Sequence, residues 1–316
     1  MRAELAGIEQ RLRDIARDGE PLIEQAAEHL IDAGGKRLRP ALVLLTAMLG
    51  EGIDERVRQA ALAVELTHLA SLYHDDVMDS APLRRGAPSA HELWGNTMAI
   101  LTGDLLFARA SRVVSELGPR AVRIQADAFE RLVRGQMHET LGPRDGEDEI
   151  AHYLGVLGDK TGSLIAAAAR YGTYFAGAEE AVQDAVVAYA EKVGVAFQLA
   201  DDVIDLSADA QATGKTPGTD LREGVATMPV LLLRSRGREL DEQGRAVLQA
   251  LSGDLDDDAV LDEVVQRLRA HPVLEEVRAL ARQWADDAVA DLGALPDSAA
   301  RRGLEAFAGL LVDRFA

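Results

Sequence analysis

The sequence predicts an all-α protein, a single domain over residues 1–316 built as a bundle of about ten helices. Three observations carry that expectation. Most segments are rich in Ala, Leu, Glu and Arg, with apolar residues spaced by three and four as one face of a helix requires. Alternating apolar and polar runs bounded by hairpin turns are hard to find. Aromatic residues make up 4% of the chain, which is low for a sheet protein.

In chain order, PLIEQAAEHLIDAG reads as a helix that stops at Gly34-Gly35. The next break falls at Glu51-Gly52, and VRQAALAVELTHLASLYHD then forms a long helix running into Asp75. Ala81 to Pro88 breaks the pattern again, as does Gly142 to Asp148, because Gly, Pro and charge cluster there. AVVAYAEKVGVAFQLADDVID is a further long helix, followed by breaks at Ala208 to Gly224, Gly253 to Asp258 and Leu295-Pro296. None of these breaks has the composition of an interdomain linker.

Composition excludes several classes of function. A net charge of −19 argues against a nucleic-acid surface, which needs clustered cations. The absence of cysteine removes disulfide frameworks, thiolate nucleophiles and zinc–thiolate sites. No apolar run approaches the roughly 18 residues needed to span a bilayer, and the first twenty residues lack a signal-peptide core. A soluble, cytoplasmic protein with no transmembrane segment is the expectation.

Two acidic clusters stand out, Asp75-Asp76-Val77-Met78-Asp79 and Asp201-Asp202-Val203-Ile204-Asp205. Asp75 and Asp79 lie one helical turn apart, so both carboxylates leave the same face. That spacing suits magnesium, which binds through one or two carboxylates and takes its other ligands from water and substrate phosphate. The competing reading is a solvated helix face, and Asp286-Asp287 with Asp291, or Asp254 with Asp256 to Asp258, show how easily acidic runs arise. The first two clusters differ in ending strongly apolar stretches, LTHLASLY and VGVAFQLA. Carboxylates that continue buried helices face a cavity more readily than bulk water, so the pair is expected to hold a diphosphate between metal ions.

Cations answer these clusters. Gly34-Gly35-Lys36-Arg37-Leu38-Arg39-Pro40 places three of them after a glycine pair, where the backbone can approach a phosphate closely. A helix C-terminus carrying favourable cations is the alternative reading. Arg84-Arg85-Gly86 follows the first acidic cluster by five residues, within reach of a metal-bound diphosphate. Lys160 and Lys215 each stand beside a threonine. Around Lys215 a P-loop fails, because Asp209 occupies the position of its first glycine.

These motifs together, GGKRLRP, HDDVMD followed by RRG, GDLLFARA, the KTG at Lys160, FQLADDVID and GKTPGTDLREG, resemble the trans-isoprenyl diphosphate synthases, or polyprenyl synthetases, from about Gly34 to Pro229. The resemblance implies a homodimer of all-α subunits, each with helices around a central cavity, and three Mg2+ ions between the aspartate motifs. It assigns Asp75, Asp79 and Asp201 as metal ligands, with Asp76, Asp202 and Asp205 supporting them. It places isopentenyl diphosphate on Lys36, Arg39, His68 and Arg85, and the allylic diphosphate on Arg84, Lys160 and Lys215. Thr161 and Gln198 correspond to polar groups near the developing carbocation. In one departure, Val225 stands where many short-chain members carry a second lysine on the allylic diphosphate.

Ala70 and Ser71 lie five and four residues before Asp75, about 6 to 7.5 Å deeper along the helix axis. In this family bulky residues there stop growth at short products, so these small side chains imply a long all-trans product that passes to a membrane. The competing reading is that small residues there simply permit close helix packing. The alternatives are a short-chain farnesyl or geranylgeranyl diphosphate synthase and, further off, a class I terpene cyclase. A metal phosphohydrolase built on His74-Asp75 with His68 or His91 leaves the second aspartate cluster unexplained. A non-catalytic partner subunit sits poorly with two intact clusters.

Overall fold

The computed structural model describes residues 1–17, 19–207 and 217–313. Among them the helices are α1 (Arg2–Ala16), α2 (Pro21–Asp32), α3 (Leu38–Ala47), α4 (Glu55–Met78), α5 (Ala90–Leu117), α6 (Pro119–Leu141), α7 (Glu149–Leu157), α8 (Ser163–Phe175), α9 (Glu180–Ser207), α10 (Thr219–Arg222), α11 (Met228–Ser235), α12 (Glu242–Ala250), α13 (Asp258–Ala270), α14 (Val273–Asp291) and α15 (Ala299–Val312). The all-α expectation holds, and no helix among the described residues is long and apolar enough to cross a membrane. The predicted break at Ala81 to Pro88 contains a small hairpin, β1 (Leu83–Arg84) antiparallel to β2 (Ala87–Pro88). Its turn residues Arg85 and Gly86 both have positive φ, as a two-residue hairpin requires.

The count of about ten helices is low because several joints are short turns that a search for clustered breaks passes over. Gly118, with φ of 98°, separates α5 from α6. A short turn after Phe175 separates α8 from α9, and His271-Pro272 separates α13 from α14. One five-residue π-helical turn, Gly158–Gly162, joins α7 to α8.

The contacts divide into two compact units, each assembled from several chain segments. The first comprises Met1–Arg131, Ser163–Ala190 and Leu292–Leu304. Its centre is α4, which packs against α1, α3, α5 and α8 and is buried on every side from Ala60 to Thr67. Leu66, Leu69, Ala70 and Tyr73 are fully buried. Asp54 starts it by accepting the Val57 amide at 2.9 Å. Three buried tyrosines each find a carbonyl for the phenol: Tyr73 at Ala26, Tyr171 at Ala121 (3.0 Å) and Tyr189 at Leu304 (2.7 Å). The second unit comprises Leu132–Gly162, Glu191–Asp291 and Glu305–Ala316, in which α11 packs on α7, α12 and α14, and α12 on α13.

In the first unit α3 and α8 approach backbone to backbone. A Cβ on Gly172 would lie 2.2 Å from the Val43 carbonyl oxygen and 3.0 Å from the Ala47 amide, neither of which can swing away. Gly172→Ala is therefore expected to destabilise the fold by about 1–3 kcal/mol, read as a lower denaturant midpoint by circular dichroism.

Candidate active site

The first acidic cluster ends α4. Asp75 and Asp79 are half-buried, and Asp79 caps the helix with its amide on the Asp75 carbonyl at 2.8 Å. Asp76 points the other way and is fully buried, with Oδ1 held by Arg84 Nε at 2.6 Å and Oδ2 without a hydrogen-bond partner. Burial pushes the Asp76 carboxyl up, and the Arg84 guanidinium opposes it. The cluster thus separates into two outward carboxylates one turn apart and one inward carboxylate that binds the hairpin's first arginine.

The cations converge on the same end of α4. Arg85 Nη1 donates to the Leu30 carbonyl at 3.0 Å and to that of Gly34. Gly35, with φ of 139°, lies so close beneath this guanidinium that a Cβ there would sit 2.8 Å from Cζ. The glycine pair and the RRG motif, fifty residues apart, are therefore one packed feature, and glycine at 35 serves both its positive φ and the close approach. Burial pulls the Arg39 guanidinium down to about 10, with Arg85 adding to the effect and Glu65 and Asp75 opposing it, and Arg39 Nε has no hydrogen-bond partner. Burial also pulls His68 well below its ordinary value, reinforced by Arg39, Arg85, Arg84 and Arg37, so this imidazole is neutral among arginines. Lys36 is exposed at the edge of this group.

The third cation of GGKRLRP behaves differently. Arg37 is 8% exposed and all three of its guanidinium nitrogens are engaged within the protein. Nε and Nη2 grip Glu9 at 2.7 and 3.0 Å, Nη1 binds Glu65 at 2.9 Å, and Nη2 also donates to the Ile31 carbonyl at 2.9 Å.

On the deeper part of α4, Ala70 is fully buried against α5. Its carbonyl oxygen lies 3.1 Å from where a Gly103 Cβ would stand, and His74 fills the space beside it. Ser71 is 6% exposed, and its hydroxyl donates to the His68 carbonyl at 2.8 Å. Further along, eight and eleven residues before Asp75, Thr67 and Val64 line a small cavity with Gln125, Ala128, Leu164, Ala167 and Tyr171.

The second acidic cluster ends the described part of α9, in the other unit. Asp201 and Asp205 are half-buried, whereas Asp202 is 4% exposed. The Tyr153 hydroxyl donates to Asp202 at 2.9 Å, and the Met228 amide, at the start of α11, donates at 3.1 Å. Burial pushes the Asp202 carboxyl well up, with Asp220 and Asp201 adding to it and the two donors opposing. The same division recurs: two outward carboxylates and one inward carboxylate that organises its neighbours.

The π turn delivers the KTG motif to this helix. A Cβ on Gly194 would lie 2.6 Å from Gly162 Cα, and one on Gly135 would lie 2.6 Å from the Lys160 amide, so α9 and α6 both touch the turn through glycines. Gly194 is one helical turn before Gln198, which is one turn before Asp201 and Asp202. Lys160, Thr161, Gln198 and the second cluster are thereby gathered in one region of the unit. Lys160 pairs with Glu139 at 2.5 Å, and Thr161 is 8% exposed. Lys215 lies outside the described residues. Glu9, Glu65, Glu139 and Tyr153 were not singled out in the sequence, since each is an ordinary helical residue until its partner is placed beside it.

Among the described residues no three His, Asp or Glu side chains converge into a complete metal cage. Each cluster instead offers two half-buried carboxylates one turn apart, the donor set for an ion that keeps its waters and shares substrate phosphate oxygens.

The polyprenyl synthetase family profile matches residues 20–268. Nonaprenyl diphosphate synthase of Mycobacterium tuberculosis is 45% identical over 99% of this chain and 93% of its own length. The structure of polyprenyl synthase from Caulobacter crescentus, complexed with calcium and isoprenyl diphosphate, superposes with a TM-score of 0.90 at 35% identity, covering 100% of this chain and 96% of that one. Geranylgeranyl pyrophosphate synthase from Corynebacterium glutamicum, also complexed with calcium and isoprenyl diphosphate, gives 0.86 at 39% identity over 100% and 96%.

Removing the Tyr153 hydroxyl leaves a buried carboxylate one donor short. Tyr153→Phe is expected to cost about 1–3 kcal/mol of stability, measured by urea unfolding, because a buried acceptor is left unsatisfied.

Proposed function

The chain belongs to the polyprenyl synthetase family and is a trans-prenyltransferase, and we propose that it extends an allylic diphosphate with isopentenyl diphosphate, in a magnesium-dependent reaction, to a long-chain all-trans polyprenyl diphosphate. The observation that carries this reading is the matched pair of aspartate clusters, each presenting two outward carboxylates at the end of a buried helix. The nonaprenyl diphosphate synthase relative supports the long product.

In this reading Asp75, Asp79 and Asp201, supported by Asp205, hold magnesium ions on the allylic diphosphate. When bound, the metal supplies positive charge that stabilises the departing diphosphate. Asp76 and Asp202 stay on the protein side, fixing the hairpin through Arg84 and the start of α11 through Met228. Lys36, Arg39 and Arg85 bind the diphosphate of isopentenyl diphosphate, and neutral His68 offers a ring N–H without adding charge. Their role is to hold its double bond against the allylic carbon, so positioning provides much of the rate. Lys160, with Lys215, binds the allylic diphosphate, and Thr161 and Gln198 turn oxygens toward the cationic carbon that forms as it ionises. The isopentenyl double bond forms the new carbon–carbon bond and becomes a tertiary cation, which loses a proton from the adjacent carbon to the departed diphosphate to give the new double bond, and no covalent enzyme intermediate is required.

The cavity at Val64, Thr67 and Tyr171 lies about 12 to 16 Å below Asp75 along α4, where a growing tail would be directed. For the homodimer, Ile100 and Leu101, beyond the kink in α5 at Gly95, expose 42 and 55% of their surface, an apolar surface suited to a second copy.

The test is incubation of the purified protein with Mg2+, labelled isopentenyl diphosphate and allylic primers of increasing length. Linear prenyl alcohols after dephosphorylation, abolished by EDTA, are expected; cyclic hydrocarbons formed without isopentenyl diphosphate would overturn the reading. Asp79→Asn and Asp201→Asn should each lower kcat on the order of 100-fold with the helical content retained, since each removes charge that acts on the leaving group. Thr67→Phe fills the cavity and should shorten the products while condensation continues.

A further inference from the structure

Helix α1 lies upstream of residues 20–268, the segment that matches the family profile, and carries no group expected to touch either substrate. Its polar side chains nevertheless reach the centre of the first unit. Arg58 grips Glu4 with two hydrogen bonds at 2.7 and 2.9 Å, and Arg11 binds Glu55, so α1 is clamped to the start of α4. Between these clamps Glu9 offers both carboxylate oxygens to Arg37.

Arg37 is an unusual residue to receive them. It precedes α3 in the left-handed conformation, φ 48° and ψ 42°, which a non-glycine side chain adopts only when its surroundings hold it there. Lys36 and Leu38-Arg39 flank it, so the backbone geometry at Arg37 sets where both of the neighbouring cations point. The fork geometry of a guanidinium gripping one carboxylate in two places restricts both distance and plane, which a single point contact would not. Glu65 supplies the second contact from α4, one turn before His68, and is 2% exposed. The Arg37 guanidinium is thus fixed between α1 and α4, and the loop bearing Lys36 and Arg39 is fixed with it. The Arg37 hydrogen bond also holds the Glu9 carboxyl below its ordinary value, so it is charged at neutral pH.

We infer that Glu9 is a positioning residue for the isopentenyl diphosphate half of the site: α1 acts as a strap that, through Glu9 and Arg37, locks the Lys36–Arg39 loop in its diphosphate-binding shape. This rests on the reading of Lys36, Arg39 and Arg85 as the groups that bind isopentenyl diphosphate. Arg37 itself is occupied, and so it shapes the loop instead of binding the substrate.

The experiment compares Glu9→Gln, Glu9→Asp and Glu4→Gln in the full-length enzyme, with KM for each substrate, kcat and Tm as readouts. Glu9→Gln removes the charge while keeping the size, and should raise KM for isopentenyl diphosphate about tenfold, leaving KM for the allylic diphosphate and kcat within about twofold. Glu9→Asp, which keeps the charge but shortens the reach, should fall between. Glu4→Gln loosens α1 elsewhere and should leave both KM values unchanged. A Glu9→Gln enzyme that loses Tm or kcat with both KM values unchanged, or that raises both KM values equally, would reduce Glu9 to a fold-stabilising contact and overturn the inference. Lys36→Ala separates the two layers: if it leaves KM for isopentenyl diphosphate unaltered the binding assignment itself falls, whereas a raised KM there with a normal Glu9→Gln enzyme refutes the strap alone.

Discussion

A helix buried on every face has nowhere to put an unpaired charge except at its ends, and α4, buried all round from Ala60 to Thr67, obeys that constraint. The carboxylates of Asp75 and Asp79 appear only where the helix stops, and Glu65, the charged residue buried midway, is matched by Arg37. Burying an unmatched carboxylate would cost several kcal/mol, so the guanidinium is obligatory once Glu65 is in place. The position of the loop before α3, the left-handed turn at Arg37 and the recruitment of α1 through Glu9 all follow from satisfying that one buried charge and its partner. Around them the first unit supplies close packing, most tightly where Gly172 meets α3 and Gly50 meets the Ala176 carbonyl.

The two aspartate clusters share a division of labour that the repeated letters conceal. In each, the middle residue of the acidic triad is pointed inward and bound to the protein, to Arg84 in one case and to Tyr153 and the Met228 amide in the other. The flanking residues remain accessible. This follows from helix geometry, since adjacent residues are rotated about 100° apart and cannot all face one ligand. The inward carboxylates fix the hairpin and α11, the segments that border each cluster.

Much of this was legible in the sequence. The long helices, the breaks at Gly34-Gly35 and Ala81 to Pro88, and the clusters themselves could be read because period, punctuation and charge are local signals. The motifs then identified the family. What the sequence concealed were the pairings that depend on the fold: Glu9 with Arg37, Tyr153 with Asp202, Glu139 with Lys160. Each joins residues more than twenty positions apart, and an isolated glutamate or tyrosine on a helix carries no mark of its partner. The small hairpin was missed for a related reason, since two-residue strands have no alternation to detect. The close approach of α4 and α5, where the Ala70 carbonyl lies 3.1 Å from where a Gly103 Cβ would stand, is likewise revealed only by the neighbouring helix.

The arginines around His68 also bear on how substrate arrives. The chain carries a net charge of −19, so a diphosphate at long range meets repulsion, and attraction takes over only within about 8 Å of the guanidinium groups at physiological salt. Keeping His68 neutral leaves that short-range field to the arginines alone, which stay charged whatever the pH of the cell. Encounter is therefore a matter of crossing a repulsive halo into a small attractive basin, and added salt lowers the halo as it shallows the basin. With these arginines binding the diphosphate as proposed, such a field favours selectivity at contact over steering from a distance.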